Sequence, residues 1–499
     1  MTEPYTIEKA NDYIREHAGR VNPRYKGAFH FAPPVGWIND PNGLCFFRGR
    51  YHLFYQYHPY GTAWGPMHWG HAQSADLLSW EHLPVALAPD RDYDSFGCFS
   101  GSAIQKDDRL FILYTGVQKD DSCSNAGNEI QQQCLAWSDD GVTFTKAPEN
   151  PVIPASALPA GFDAANFRDP KVWEEGGRFH CVAAAADGAG QGRILRYSSK
   201  DLLHWEYAGD YVRGLERFRG IWECPDVFPL DGAACLLLSV MNPPAGGVLP
   251  AGRPGTLWGL APLETPADLD CPSININPFD ALDAGFDLYA PQTFAAPDGR
   301  RLLFAWAHLW GGNETLERHG WMGSMCLPRE LRAREGRLLQ NPVREIEARL
   351  EPLEEFADPR PEGGMALETC PLMAITLEAE AGGDGILALD FFCAGEERLS
   401  LRYSAAEGAF CFDRSAAGLP AKDLPPGDLL RVIPYRAPAG RLRLRAFIDH
   451  AQLEIFVGDG ELVFSSLIFP KRAGYEHRLR CGGAAHIITL KTFVIKERV

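Results

Sequence analysis

The sequence predicts an all-β protein: a five-bladed β-propeller followed by a C-terminal β-sandwich, with one short helix at the N-terminus. Three observations lead there. After Pro23 the chain runs in short alternating stretches rich in aromatic and β-branched residues, separated by Gly, Asp and Asn turns, and this pattern lasts to the C-terminus. Two sequence elements recur about every 60 residues, a span that holds a sheet of four short strands, and such units close radially into a propeller. Beyond Pro342 the recurrence stops while the alternation continues.

At the N-terminus, Ile7, Ala10, Tyr13 and Ile14 stand at helical spacing between charged residues, which predicts one amphipathic helix over Thr6–Ala18. The first recurring element is Gly49-Arg50-Tyr51-His52-Leu53-Phe54-Tyr55. It returns as Asp108-Arg109-Leu110-Phe111-Ile112-Leu113-Tyr114, as Gly177-Arg178-Phe179-His180-Cys181-Val182 and as Gly299-Arg300-Arg301-Leu302-Leu303-Phe304-Ala305-Trp306. A weaker copy at Ala233–Val240 completes five. The second element is Ser74-Ala75-Asp76-Leu77-Leu78-Ser79-Trp80-Glu81, echoed from Ser138 to Phe144 and from Ser199 to Glu206.

A stretch rich in Glu, Pro and Gly, from Glu351 to Gly364, reads as a boundary. With 499 residues the chain exceeds the size at which one core stops growing, roughly 250 to 300 residues. The expected division is a helical segment over residues 1–25, a propeller over 26–345 and a sandwich over 346–499. In the last part Arg441–Ile448 alternates polar and apolar residues, and Leu453–Val457 meets Glu461–Phe464 across a Gly458-Asp459-Gly460 turn.

The formal net charge is −17, with no basic run to offset it, which argues against nucleic acid or an anionic membrane as partner and for a neutral small molecule. The first residues carry neither a basic nor an apolar leader region, and no stretch of about 18 apolar residues occurs. Thirteen cysteines without a Cys-x-x-Cys pair fit reduced thiols better than a disulfide framework or a zinc site. The expected location is cytoplasmic.

Most of the 65 acidic residues belong to a solvated surface, so a reactive carboxyl must stand out by its setting. Three do. Asp40 lies in Trp37-Ile38-Asn39-Asp40-Pro41-Asn42-Gly43, where amides can orient it, although the segment alone fits an Asp-Pro turn equally well. Asp169 follows an Arg in Asn166-Phe167-Arg168-Asp169-Pro170, an arrangement that holds a carboxylate ionised unless it is a mere surface pair. Glu223, in Trp222-Glu223-Cys224-Pro225-Asp226, stands between an aromatic and a thiol, the apolar setting that suits a general acid, with Asp226 expected to push its pKa further up. A propeller gathers equivalent positions of successive blades at its axis, so three acids far apart in sequence can meet. Retaining glycoside hydrolysis needs two such carboxyls about 5 to 5.5 Å apart.

In order and spacing these segments resemble the motifs of glycoside hydrolase family 32, the invertases, fructanases and sucrose-6-phosphate hydrolases. The resemblance extends to Tyr55-Gln56-Tyr57, Trp64-Gly65-Pro66-Met67-His68-Trp69-Gly70-His71, Phe99-Ser100-Gly101-Ser102, Tyr289-Ala290-Pro291-Gln292-Thr293-Phe294, Gly320-Trp321-Met322-Gly323, Leu327-Pro328-Arg329-Glu330-Leu331, and Phe447 to Pro470. It implies the same two β-domains. It also implies Asp40 as nucleophile, Glu223 as acid/base and Asp169 as the carboxylate that holds fructosyl hydroxyls. The expected sugar contacts are Asn39, Asn42, Gln56, Trp64, Phe99, Ser100, Arg168, Tyr289 and Trp306.

The implied activity is retaining hydrolysis of terminal β-D-fructofuranosides, with sucrose, sucrose 6-phosphate or a short fructo-oligosaccharide as the small-molecule partner. Exo-fructanase or fructosyltransferase action is the enzymatic alternative, and a non-catalytic carbohydrate-binding protein the remote one. No cofactor and no metal are expected. His68 and His71 read as packing residues, and Gly188-Ala189-Gly190-Gln191-Gly192 as a blade turn, not a dinucleotide loop. The sandwich sequence leaves three roles open: supporting the propeller, joining a homodimer or binding sugar.

Overall fold

The computed structural model describes residues 5–497, apart from 120–128, 214–219, 242, 244–248, 250–252, 263–268, 270–272, 277–278, 312–316, 362, 419–423, 425 and 473. The N-terminal helix spans Ile7–His17; Thr6 caps it, its hydroxyl accepting from Lys9 N at 3.2 Å. Its apolar side, Ile7, Ala10 and Ile14, packs on the first blade. Asn11 Oδ1 accepts from Val85 N at 3.0 Å there.

Five antiparallel sheets follow as blades, and the innermost strands are Gly36–Phe47, Gly97–Lys106, Phe162–Glu175, Trp222–Leu230 and Leu288–Ala295. The first recurring sequence element lies in every case on the second strand: Arg50–His58, Arg109–Lys119, Arg178–Asp187, Ala233–Val240 and Arg301–Ala307. The middles of these strands are buried on both faces because each blade is covered by its neighbours.

The second element is the turn before the outermost strand. Asp76 Oδ1 accepts from the amides two and three residues on, Leu78 N and Ser79 N, and Asp140 and Asp201 do the same. The next residue then takes a left-handed backbone, φ 64° at Leu77, 80° at Gly141 and 75° at Leu202. Leucine tolerates this strained conformation because the turn's hydrogen bonds dictate it. The ring closes where Trp321–Met322 pairs in parallel with Gly36 and Trp37.

The sandwich consists of two six-stranded sheets. Arg441–Ile448 and the hairpin of Gln452–Val457 with Leu462–Leu467 form as the alternation predicts. The expected boundary at Glu351–Gly364 differs. Residues Leu350–Ala357 form an edge strand on Ala485–Ile495. Glu351, Glu354 and Glu355 there reflect an edge that repels further strands, not a linker.

The propeller and sandwich meet over a buried polar network. Arg329, 0% exposed, donates to Asp283, Glu454, Ser465 and Gln340 at 2.7–3.0 Å. His30 bonds Asp449 at 2.9 Å and Glu454 at 3.2 Å. Burial disfavours the imidazolium, but the two carboxylates outweigh it and raise the His30 pKa to about 9.

The unfolded histidine titrates near 6.5, so this stabilisation is complete below that pH and is lost as pH rises through about 9. It is worth about 3 kcal/mol. The Tm of the native chain should therefore fall between pH 6.5 and 9 more steeply than that of His30→Gln. Equal slopes would place the pH dependence elsewhere.

Candidate active site

Each innermost strand carries one extra residue at the same end of the propeller. The register slips between Ile38 and Pro41, Phe99 and Gly101, Arg168 and Lys171, Glu223 and Asp226, and Tyr289 and Gln292. Four of these bulges hold or adjoin an X-Pro step, where the missing N–H suits an interrupted ladder. Asp169, Cys224 and Ala290 adopt left-handed φ of 61°, 50° and 48° inside them. The bulges bring Asp40, Ser100, Asp169 and Cys224 of four blades into one set of hydrogen bonds. Asn39, Phe99, Arg168, Glu223 and Tyr289 point into the mouth of a cleft of about 510 Å³.

Asp40 Oδ2 accepts from Ser100 Oγ at 2.5 Å and from Cys224 Sγ at 3.5 Å, and its Oδ1 accepts from Asn39 Nδ2 at 3.1 Å. Burial pushes its pKa up; Ser100 opposes and the Glu223 charge adds. Asp169 Oδ2 accepts from Cys224 N at 2.8 Å. Burial, resisted by Arg168 and reinforced by Glu223 and Asp40, lifts Asp169 to about 7.

Glu223 is held at both oxygens, by Arg168 at 3.0 Å and by the Tyr289 hydroxyl at 2.6 Å. Arg168 also donates to Gln131 and Asn166, both at 3.2 Å. These carboxylates keep the buried Arg168 guanidinium firmly charged against its desolvation.

The structure brings Asp40, Asp169, Glu223, Asn39, Gln56, Trp64, Phe99, Ser100, Arg168, Tyr289 and Trp306 to this one cleft. Trp64 stands on the rim, 48% exposed, edge-on to Phe99 with ring centroids 5.8 Å apart. Trp306 stacks on His308 at 4.3 Å.

Asn42, expected as a sugar contact, is not part of the lining. It lies beyond the bulge, fully buried, with Oδ1 accepting from Gly101 N at 3.3 Å. It belongs to a polar floor across the axis. There Ser102 bonds Pro170 O at 2.7 Å, Gln292 bonds Gly101 O at 3.0 Å, and Lys171 bonds Asp226 at 3.0 Å and Thr293 O at 2.6 Å.

Asp226, expected beside Glu223, lies beyond the bulge and pairs instead with Lys171. His68 and His71 are buried, His71 bonding His52 at 2.9 Å. Among the described residues no His, Cys, Asp and Glu group suits a metal ion.

Sequence reasoning missed Gln131, Glu129, Met241, His308 and Trp310 as lining residues. The one available signal was Gln131-Gln132-Gln133, three amides in an otherwise apolar strand, all buried. Gln133 bonds Phe167 O at 2.9 Å and Gln131 accepts from Phe167 N at 3.0 Å, so the run fixes the Arg168-Asp169 segment.

A sucrose-6-phosphate hydrolase of Escherichia coli is 37% identical over 94% of this chain and 94% of its own. A raffinose invertase of Escherichia coli is 36% identical over 97% and 98%. Among solved structures, a family 32 β-fructofuranosidase of Bombyx mori superposes with a TM-score of 0.83 at 32% identity over 98% of both chains, and a mutant of it has been solved in complex with sucrose. The model of the glycosyl hydrolases family 32 N-terminal domain matches residues 30–342 and that of the family's C-terminal part matches 349–495, so the chain belongs to glycosyl hydrolases family 32.

Proposed function

We propose that this protein hydrolyses terminal non-reducing β-D-fructofuranosides, sucrose or sucrose 6-phosphate foremost, with retention and through a covalent fructosyl-enzyme. The observation that carries this reading is the division of labour between two carboxyls in one cleft. Asp40 is oriented by Ser100, Asn39 and Cys224, while Glu223 is fixed by Arg168 and Tyr289. Glu223 protonates the leaving oxygen as Asp40 attacks the anomeric C2, and Glu223 then takes a proton from the water that opens the ester.

Asp169 holds the 3- and 4-hydroxyls of the fructosyl unit, in hydrogen bonds that tighten as positive charge develops on the ring. Gln56, Trp64, Phe99 and Trp306 give the sugar an apolar wall with amide donors and acceptors. The division into residues 1–25, 26–345 and 346–499 is part of the same reading, supported by the matched spans 30–342 and 349–495.

A cytoplasmic location is supported by the eleven described cysteines, all free; Cys123 and Cys271 lie outside the described residues. No helix among the described residues is long and apolar enough to cross a membrane.

The test is kcat/KM for sucrose, sucrose 6-phosphate and a short inulin-type oligosaccharide. Hydrolysis of none of them sinks the proposal, and a preference of about 100-fold, roughly 2.7 kcal/mol, names the substrate. A preference for the oligosaccharide favours exo-fructanase action, in line with a Bacillus subtilis levanase that is 33% identical over 90% of this chain.

The pH profile is also set. Asp169 must be ionised to act and its folded pKa is raised to about 7, so kcat/KM should fall as pH drops through that value. An acid limb in the usual carboxylate range, near 4, would assign Asp169 a different part.

A further inference from the structure

Among the described residues the sandwich contributes nothing to the lining of the cleft. It nevertheless holds the start of the strand that carries Tyr289. Residues 284–287 run along the sandwich strand Leu462–Leu467, with Ala284 N bonding Val463 O and Phe286 N bonding Ser465 O, both at 2.8 Å. Asp287 ends this segment, 1% exposed. Its Oδ2 accepts from Leu467 N at 2.7 Å and from the guanidinium of Arg414, a sandwich residue only 2% exposed.

Arg414 is fixed in turn. Its Nε donates to Asp428 O at 2.5 Å, its own N donates to Leu429 O at 2.8 Å, and its guanidinium carbon lies 4.1 Å from the Phe286 ring centre. We propose that Arg414 is a positioning residue for Glu223, acting through Asp287 and Tyr289.

Only Leu288 separates Asp287, the residue before the Leu288–Ala295 strand, from Tyr289, its second residue, so little slack exists between the buried ion pair and the hydroxyl 2.6 Å from Glu223. The Asp287 carbonyl also accepts from His308 N at 3.0 Å, and His308 stacks on Trp306 in the wall of the cleft. That bond is made by the Asp287 backbone and not by the carboxylate that Arg414 holds, so Arg414 acts on the Tyr289 side and leaves the Trp306 wall in place. The domains are joined independently by the Arg329 and His30 network, so loosening Arg414 does not release the sandwich. This role is one the sequence left open, and it rests on the fructosidase reading above.

The test compares Arg414→Lys with the native chain on two substrates. Sucrose needs its leaving oxygen protonated, whereas β-fructosyl fluoride departs without a general acid. The expected result is a loss of about 10-fold in kcat/KM for sucrose, carried by kcat with KM little changed, and no loss for the fluoride, because about 1 Å of misplacement affects only the acid step. In a Tyr289→Phe background the same substitution should cost nothing further, since both act through one contact.

Equal losses on the two substrates, no loss on either, or full additivity with Tyr289→Phe would overturn the proposal. If Arg414→Lys does not yield folded protein, Asp287→Asn carries the same expectations with its shape preserved. A native chain that cleaves neither substrate overturns the fructosidase reading itself, an outcome distinct from any ratio between variants.

Discussion

Replacing Asp40 by Asn should lower kcat/KM for sucrose by about 10⁴-fold or more without lowering the Tm. The amide occupies the carboxylate's volume and keeps an oxygen to accept from Ser100 and Cys224; only the bond from Asn39 Nδ2, which met Oδ1, loses its acceptor. What disappears is the nucleophile, and with it the covalent intermediate. The thermal part has a separate origin. Burial raises the Asp40 pKa, which means the folded protein pays for ionising it at neutral pH. That cost is absent below the ordinary carboxylate pKa and grows as pH rises through the folded value, so Asn should be as stable as Asp or more stable at pH 7. Retained turnover in this variant would remove Asp40 from the chemistry, and a large fall in Tm would reveal a structural role instead.

Glu223→Gln should cost about 10³- to 10⁴-fold on sucrose, the range of general acid catalysis, yet leave β-fructosyl fluoride within about 10-fold of the native rate constant kcat/KM. Glutamine can still accept from Arg168 and can donate to the Tyr289 oxygen, so the ion-pair partner stays in place. Only proton transfer is lost. A variant equally slow on both substrates would show that the residue shapes the site without donating a proton. Measuring both substrates also separates Glu223 from Asp40, because loss of the nucleophile must slow the fluoride as severely as sucrose.

Much of this architecture was legible because its signals are local. The Ser-x-Asp turns announce themselves through hydrogen bonds that a side chain makes to amides two and three residues on, and Asp76, Asp140 and Asp201 all do so. The second strands are legible from their apolar runs. The three acids stand out because Trp, Pro, Arg and Cys beside a carboxyl are rare on a solvated surface.

The rest depends on backbone register, which composition does not encode. Asn42 lies two residues from Asp40, and only the bulge between Ile38 and Pro41 decides that one faces the cleft and the other the floor. The same holds for Asp226, whose direction is set by the bulge after Glu223 and whose charge is met by Lys171 from the neighbouring blade. Leu350–Ala357 escaped because an edge strand and a charged linker share a composition. Arg414 and Asp287 are 127 residues apart, and nothing in either neighbourhood announces the other.

The polar floor makes the cleft a cul-de-sac. Asn42, Ser102 and Gln292 are buried at 5% exposure or less, and their bonds bridge different blades, so the described residues close the axis beneath the acids. In the proposed two-step reaction every molecule then uses one doorway. The released sugar must back out before the hydrolytic water can reach the ester, and a second sugar loitering in that doorway competes with water for the same bound fructosyl group. Traffic, more than chemistry, would then decide how the ratio of hydrolysis to transfer changes with sugar concentration.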